Sequence, residues 1–255
     1  RAFMGARRLI AVSANTKNDL VKLYGGEAGK ISVVHHGFSF CHSGLNPESK
    51  DSGSRIPPSP RLWRASKCGM TLGEKPYLFY LGRIETKKNI QGILEAYKIL
   101  KEKYKIPHKL VLAGAPGYGY KNLKLSARGG SALGGKIEEF GYVDEKTKWR
   151  LFSGADIFLS PSFYEGFGLP VLEAQAAGVP VITSANSCLP EIAGQGALFV
   201  NPANPAQIAE AVKQVIDDSR LRDKLRQLGF ENVKRFDWGK CARNTLEVIT
   251  KMESF

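Results

Sequence analysis

A chain of 255 residues can bury one good core and part of a second, because a domain takes about 100–200 residues. Its 37 basic and 24 acidic residues leave a formal charge of +13, which favours phosphates or anionic head groups; without blocks of consecutive basic residues or basic–aromatic interleaving, nothing points to nucleic acid. No apolar run approaches the roughly 18 residues of a spanning helix, and Cys41, Cys68, Cys188 and Cys241 lack the Cys-x-x-Cys spacing of a zinc site or disulfide framework, which fits reduced thiols in a cytoplasmic protein.

In chain order, the opening Arg-Ala-Phe-Met-Gly-Ala-Arg-Arg is no secretory signal. Arg8–Ser13 predicts a short buried strand. Ser13 or Asn15 suits the cap of a helix that carries Leu20, Leu23 and Tyr24 and ends at Gly25-Gly26. Ile31–Val34 is a second strand, running into His35-His36-Gly37, where packing or solvent contact accounts for the two histidines. A lone parallel strand–helix–strand unit cannot cover both faces of a sheet, so further N-terminal chain is expected beside residues 1–38. Residues 39–75, rich in Ser, Pro, Gly and Lys around Pro57-Pro58-Ser59-Pro60, read as a linker or mobile loop.

Tyr77–Leu81 is an apolar strand, followed by the loop Gly82–Lys88 with Arg83 and Lys88. Asn89 then caps a helix whose inner face is Ile90, Ile93, Leu94, Tyr97 and Leu100. Strand Lys109–Ala113 leads into a glycine-rich run, Gly114–Gly119, whose Gly-x-x-Gly-x-Gly spacing and proline make a poor dinucleotide fingerprint. Residues 121–136 read as a helix remnant and basic loop, Ile137–Val143 as a strand edge, and Asp144 as the cap of a helix with Trp149, Leu151 and Phe152. Beyond Gly178, Val179–Thr183 and Ala197–Val200 are strands, separated by a short turn or helix from Pro190-Glu191. Asn204-Pro205 starts a helix with the stripe Ile208, Ala211, Val212, Val215 and Ile216; Ser219 caps the next, through Leu221, Leu225 and Leu228. Asp237 begins the last, residues 238–255, with Trp238, Cys241, Thr245, Val248, Ile249 and Met252 on one side. The alternation over residues 76–237 predicts an α/β fold, a Rossmann-like doubly wound parallel sheet with ligand loops at the strand C-termini.

Residues 160–173 carry the chemistry. Strand Ile157–Leu159 runs into a loop where Gly166 and Gly168 permit backbone geometries that other residues resist, and Pro170 opens a helix. A helix start offers unpaired N–H groups and the positive end of the macrodipole, so an anion is its natural ligand. Glu165 lies before that point and Glu173 a turn inside the helix, placed to accept hydroxyls on either side of a bound diphosphate. Carboxylates near helix starts also occur for stability alone.

Glu165-Gly-Phe-Gly-Leu-Pro-Val-Leu-Glu173 resembles the E-x7-E signature of retaining glycosyltransferases of family 4, which have the GT-B fold. The similarity runs on through Val179–Thr183 to Leu189–Gly194. The resemblance implies that residues 76–237 form the donor nucleotide-sugar domain, that 1–38 close the N-terminal acceptor domain, and that 238–255 cross back toward it. It implies that Arg83 and Lys88, with the helix start at Leu169 and Val171, hold the diphosphate. Glu173 would bind ribose hydroxyls, Glu165 with the amides of Gly166, Phe167 and Gly168 the donor sugar, and the backbone at Tyr142 and Val143 would border the nucleobase. Asn186–Glu191 is similar to a subgroup in which GDP-mannose enzymes are frequent, which leans the donor toward mannose. With no Asp-x-Asp triplet, no metal is expected; the leaving phosphate would be stabilised by Arg83 and Lys88. The expected activity is hexose transfer with retention to a glycan or lipid-linked acceptor, peripheral contact with the inner membrane face being compatible with the charge. The alternatives are a non-catalytic nucleotide-sugar-binding half that needs a separate acceptor domain or subunit, and a sugar-nucleotide epimerase.

Overall fold

A computed structural model describes residues 5–39, 76–123 and 137–251. The expected linker (but for Ser39), nearly all of the basic loop and Met252 lie outside these residues.

Among the described residues there are two parallel sheets. The smaller pairs β1 (Leu9–Ala11) with β2 (Ile31–Val33) across helix α1 (Ala14–Tyr24). Ser13, not Asn15, caps α1: its side chain accepts from the Thr16 N–H, and Gly25 ends the helix in the left-handed conformation. Leu23 and Tyr24 are exposed on α1.

The larger sheet contains β3 (Tyr77–Leu81), β4 (Lys109–Ala113), β5 (Ile137–Glu139), β6 (Ile157–Ser160), β7 (Val181–Ser184) and β8 (Ala197–Val200). Its spatial order is β5-β4-β3-β6-β7-β8, every neighbour parallel. Order reverses between β3 and β6, which makes that boundary the topological switch point where ligands of doubly wound sheets bind.

Helices cover both faces, as the near-continuous apolar strands require. Leu78, Tyr80, Leu110, Leu112, Ile157, Leu159 and Ile182 face α2 (Ile90–Glu102) and α6 (Pro205–Asp217), whose Ile93, Tyr97, Ile208 and Val212 are fully buried. The alternate residues Phe79, Val111, Phe158 and Val181 face α3 (Glu145–Gly154), α4 (Leu169–Ala176) and α5 (Leu189–Ala193). Helices α7 (Ser219–Val233) and α8 (Trp238–Thr250) follow. A third cluster of Phe167, Leu172, Cys188, Ile192 and Phe236, with Val12 and Phe38 against it, joins the two sheets.

The expected caps Asn89, Asp144, Asn204 and Asp237 all accept from a first-turn N–H. Ser219 does not; Asp218 caps α7 by accepting from Leu221 N–H, and Ser219 is already helical. An ionised carboxylate is the stronger acceptor and complements the macrodipole. On α8 no side chain is buried, and Trp238, Leu246 and Ile249 are exposed.

Candidate active site

Two loops meet at the switch point. The first follows β3 and runs alongside the loop after β4: Ile84 N–H donates to Ala115 O at 2.9 Å, Gly117 N–H to Ile84 O at 2.9 Å, and Thr86 N–H to Tyr118 O at 3.0 Å. The glycines of the 114–119 run are therefore packing devices. A Cβ at Gly114 would stand 1.8 Å from Gly82 O, and one at Gly119 2.0 Å from Thr86 Oγ1.

The second loop follows β6 and is tied to the first through Asn89. Its side-chain NH2 donates to Pro161 O at 3.0 Å and to Pro202 O at 2.6 Å, while its oxygen caps α2. Phe163 N–H donates to Lys87 O at 2.9 Å. So fixed, Lys88 Nζ lies 2.6 Å from both carboxylate oxygens of Glu165, which also accepts from Ser162 Oγ at 2.9 Å. The pair is largely shielded from water, with side chains 19% and 14% exposed. Such a pair is stable only while both members stay paired, so a ligand that takes Lys88 must offer it an anion and give Glu165 other donors.

Arg83 is exposed in the same loop, and its guanidinium has no hydrogen bond or ion pair among the described residues. Gly168 has φ 90° and offers no side chain to cap α4, where Leu169 is exposed. The Val171 N–H, expected to help with the diphosphate, bonds Gly168 O at 3.0 Å. Gly166 differs from expectation: its φ is not positive, and a Cβ there would meet nothing within 4 Å, so the fold itself does not demand glycine. Phe167 is buried against His35, His36 and Phe236, its ring edge-on to His36 at 5.0 Å. Tyr142 is almost fully exposed beyond β5, and Val143 is half-buried beside the α3 face of the core.

Three residues to which sequence reasoning gave no role in the site belong to this region. Lys148 on α3 donates to Glu173 Oε1 at 2.6 Å and to Glu145 Oε1 at 2.7 Å. Burial works against its charge, but hydrogen bonds and charge from Glu145 and Glu173 outweigh it and hold the ammonium above the ordinary lysine range. Ser187, at φ 56°, grips both backbone groups of Glu165: its Oγ accepts from Glu165 N–H at 3.0 Å and donates to Glu165 O at 2.5 Å. Glu191 on α5 accepts the Ala14 and Asn15 N–H groups at the start of α1, and its Oε1 lies 2.6 Å from His35 Nε2. Ser13 Oγ donates to Gly166 O at 3.0 Å, and Tyr164 OH to Asp19 at 2.7 Å, so the loop bearing Glu165 leans on α1.

Residues 70–231 match the family Glycosyl transferases group 1. The chain belongs to that family. Among curated relatives, O-antigen chain mannosyltransferase B of Escherichia coli is 31% identical over 242 residues, covering 94% of this chain and 60% of that protein. D-inositol 3-phosphate glycosyltransferase of Streptomyces coelicolor is 28% identical, covering 95% of this chain and 55% of that protein. The chain thus spans somewhat over half the length of these relatives. The fold matches GT-B structures: a glycosyltransferase from Rickettsia africae (TM-score 0.75, 21% identity, 97% of this chain and 64% of that one) and Anabaena Alr3699/HepE in complex with UDP and glucose (TM-score 0.74, 17% identity, 98% and 64%).

Proposed function

We propose that this group 1 glycosyltransferase chain binds a nucleotide-diphosphate sugar at the β3–β6 switch point, for transfer of a hexose with retention to a glycan or lipid-linked acceptor hydroxyl. The observation that carries this is the shielded Lys88–Glu165 pair at 2.6 Å, a cation and an anion held at the place where such sheets take ligands. A nucleotide sugar satisfies both: its diphosphate takes Lys88 with Arg83 and the uncapped start of α4, and its sugar hydroxyls donate to Glu165. Glu173 then accepts from the ribose, with the base beyond it toward Tyr142 and Val143. The amides of Gly166, Phe167 and Gly168 line the sugar's side of the loop.

Charge on the departing diphosphate is met by Arg83 and Lys88 rather than by a required metal. Glu165 positions the donor; retention by a same-face attack asks no covalent bond of it. The E. coli relative, named as a mannosyltransferase, supports mannose as the hexose, and the separate β1–α1–β2 sheet supports an acceptor-side unit over residues 1–38. The charge of +13 supports contact with an anionic membrane surface where a lipid-linked acceptor resides.

The test is thermal unfolding of this chain with GDP, UDP, ADP and their sugar conjugates, with and without chelator. Ligand at one hundred times its dissociation constant adds about 2.7 kcal/mol. A shift specific to one base, insensitive to chelator and lost in Glu173→Ala, is expected; no shift with any of the six overturns the reading.

A further inference from the structure

We infer that Lys148 is a positioning residue for the donor's ribose, holding Glu173 so that a single carboxylate oxygen faces the nucleotide; this rests on the reading of Glu173 as the ribose carboxylate. Glu173 projects from α4 and Lys148 from α3, two helices of the same layer. Their Nζ–Oε1 contact is 2.6 Å, with side chains 13% and 16% exposed, whereas the other partner of Lys148, Glu145, is 78% exposed. Water therefore competes for Glu145 and hardly for Glu173, which makes Glu173 the partner that fixes the lysine.

The consequence is an asymmetry within one carboxylate. Oε1 is occupied by the ammonium, while Oε2 has no hydrogen bond among the described residues. An sp2 oxygen with two lone pairs matches a vicinal diol, whose two O–H groups converge on one acceptor. Without Lys148 the carboxylate would turn between both oxygens and lose its orientation. Asp144, whose side chain accepts from Thr147 N–H at 2.8 Å, sets the first turn of α3 and so the place of Lys148 one residue further on. A lysine at this position thereby links the nucleobase loop, residues 141–144, to the ribose.

The readout is ribose discrimination, which a purely structural role would leave unchanged. Binding of GDP, UDP and ADP and of their 2′-deoxy counterparts to this chain is measured by calorimetry for wild type, Lys148→Met, Lys148→Arg, Glu173→Ala and Lys148→Met/Glu173→Ala. The wild type should prefer the ribonucleotide of its chosen base by about tenfold or more, the worth of a charged hydrogen bond. Lys148→Met should lose most of that preference and Lys148→Arg should keep it. In the Glu173→Ala background, Lys148→Met should add nothing, because the lysine acts through the glutamate. Full discrimination in Lys148→Met, or additive losses in the double variant, overturns the positioning role. Full discrimination in Glu173→Ala instead overturns the ribose reading beneath it, as does failure of the wild type to bind any of the nucleotides.

Discussion

Gly166 separates what the fold needs from what a ligand needs. A methyl group there meets no protein atom within 4 Å and the backbone suits any residue, so Gly166→Ala should change stability by less than about 0.5 kcal/mol. The same methyl would project beside Glu165, where the proposed function puts the donor sugar. Calorimetry should show nucleotide sugar binding weakened about tenfold or more and the free diphosphate little changed. Cys188, whose Sγ donates to Glu165 O at 3.1 Å, offers a pH test. Burial above all pushes its thiol from 9.0 up to about 12, so between those values the folded state holds a proton that the unfolded chain has lost. Stability should therefore fall as pH rises from about 9 toward 12, and urea midpoints should fall less steeply in Cys188→Ala. Lys88 and Glu165 were each legible from their own loops, but their pairing was not, since they stand 77 positions apart. Lys148 was hidden because Glu145–Lys148 reads as an ordinary pair on a helix surface.

Among the elements, Asn89 does the most with one side chain. It caps α2 from a left-handed conformation, φ 58°, and its amide bonds two buried carbonyls from the loops after β6 and β8. Asn89→Ala should cost about 3 kcal/mol, one cap plus two unsatisfied acceptors, and lower the melting temperature by roughly 6–12 °C. The strands and the inner faces of α2 and α6 were legible because hydrophobic periodicity reports burial directly. Capping is read from one or two side chains, so Ser219 and Asp218 were confused while Asp144 and Asp237 stood out. The conformation of Gly166 was misjudged because a glycine in a loop signals close approach as readily as unusual dihedrals.

At the scale of the molecule, the β1–α1–β2 sheet is fastened to the larger one by Glu191. Its carboxylate accepts the first N–H groups of α1, the place where the macrodipole would otherwise attract a free anion. Glu191→Ala should raise amide exchange in Ala14–Tyr24 by about tenfold or more while β3 and β6 stay protected, as hydrogen exchange with mass spectrometry would show. Sequence gave no hint of this contact, because Glu191 reads simply as a helix-start acid. Docking of one sheet on another depends on which surfaces meet.

The two halves of the large sheet, β3 to β5 and β6 to β8, are each contiguous in the chain and share one seam, registered through Leu78 with Ile157 and Phe79 with Phe158. During synthesis that seam stays open until β6 has emerged, so the first half waits, unclosed, for the second. The Lys88–Glu165 pair lies at its end. A bound molecule that touches both loops rivets the halves together, and so acts on the cooperativity of folding.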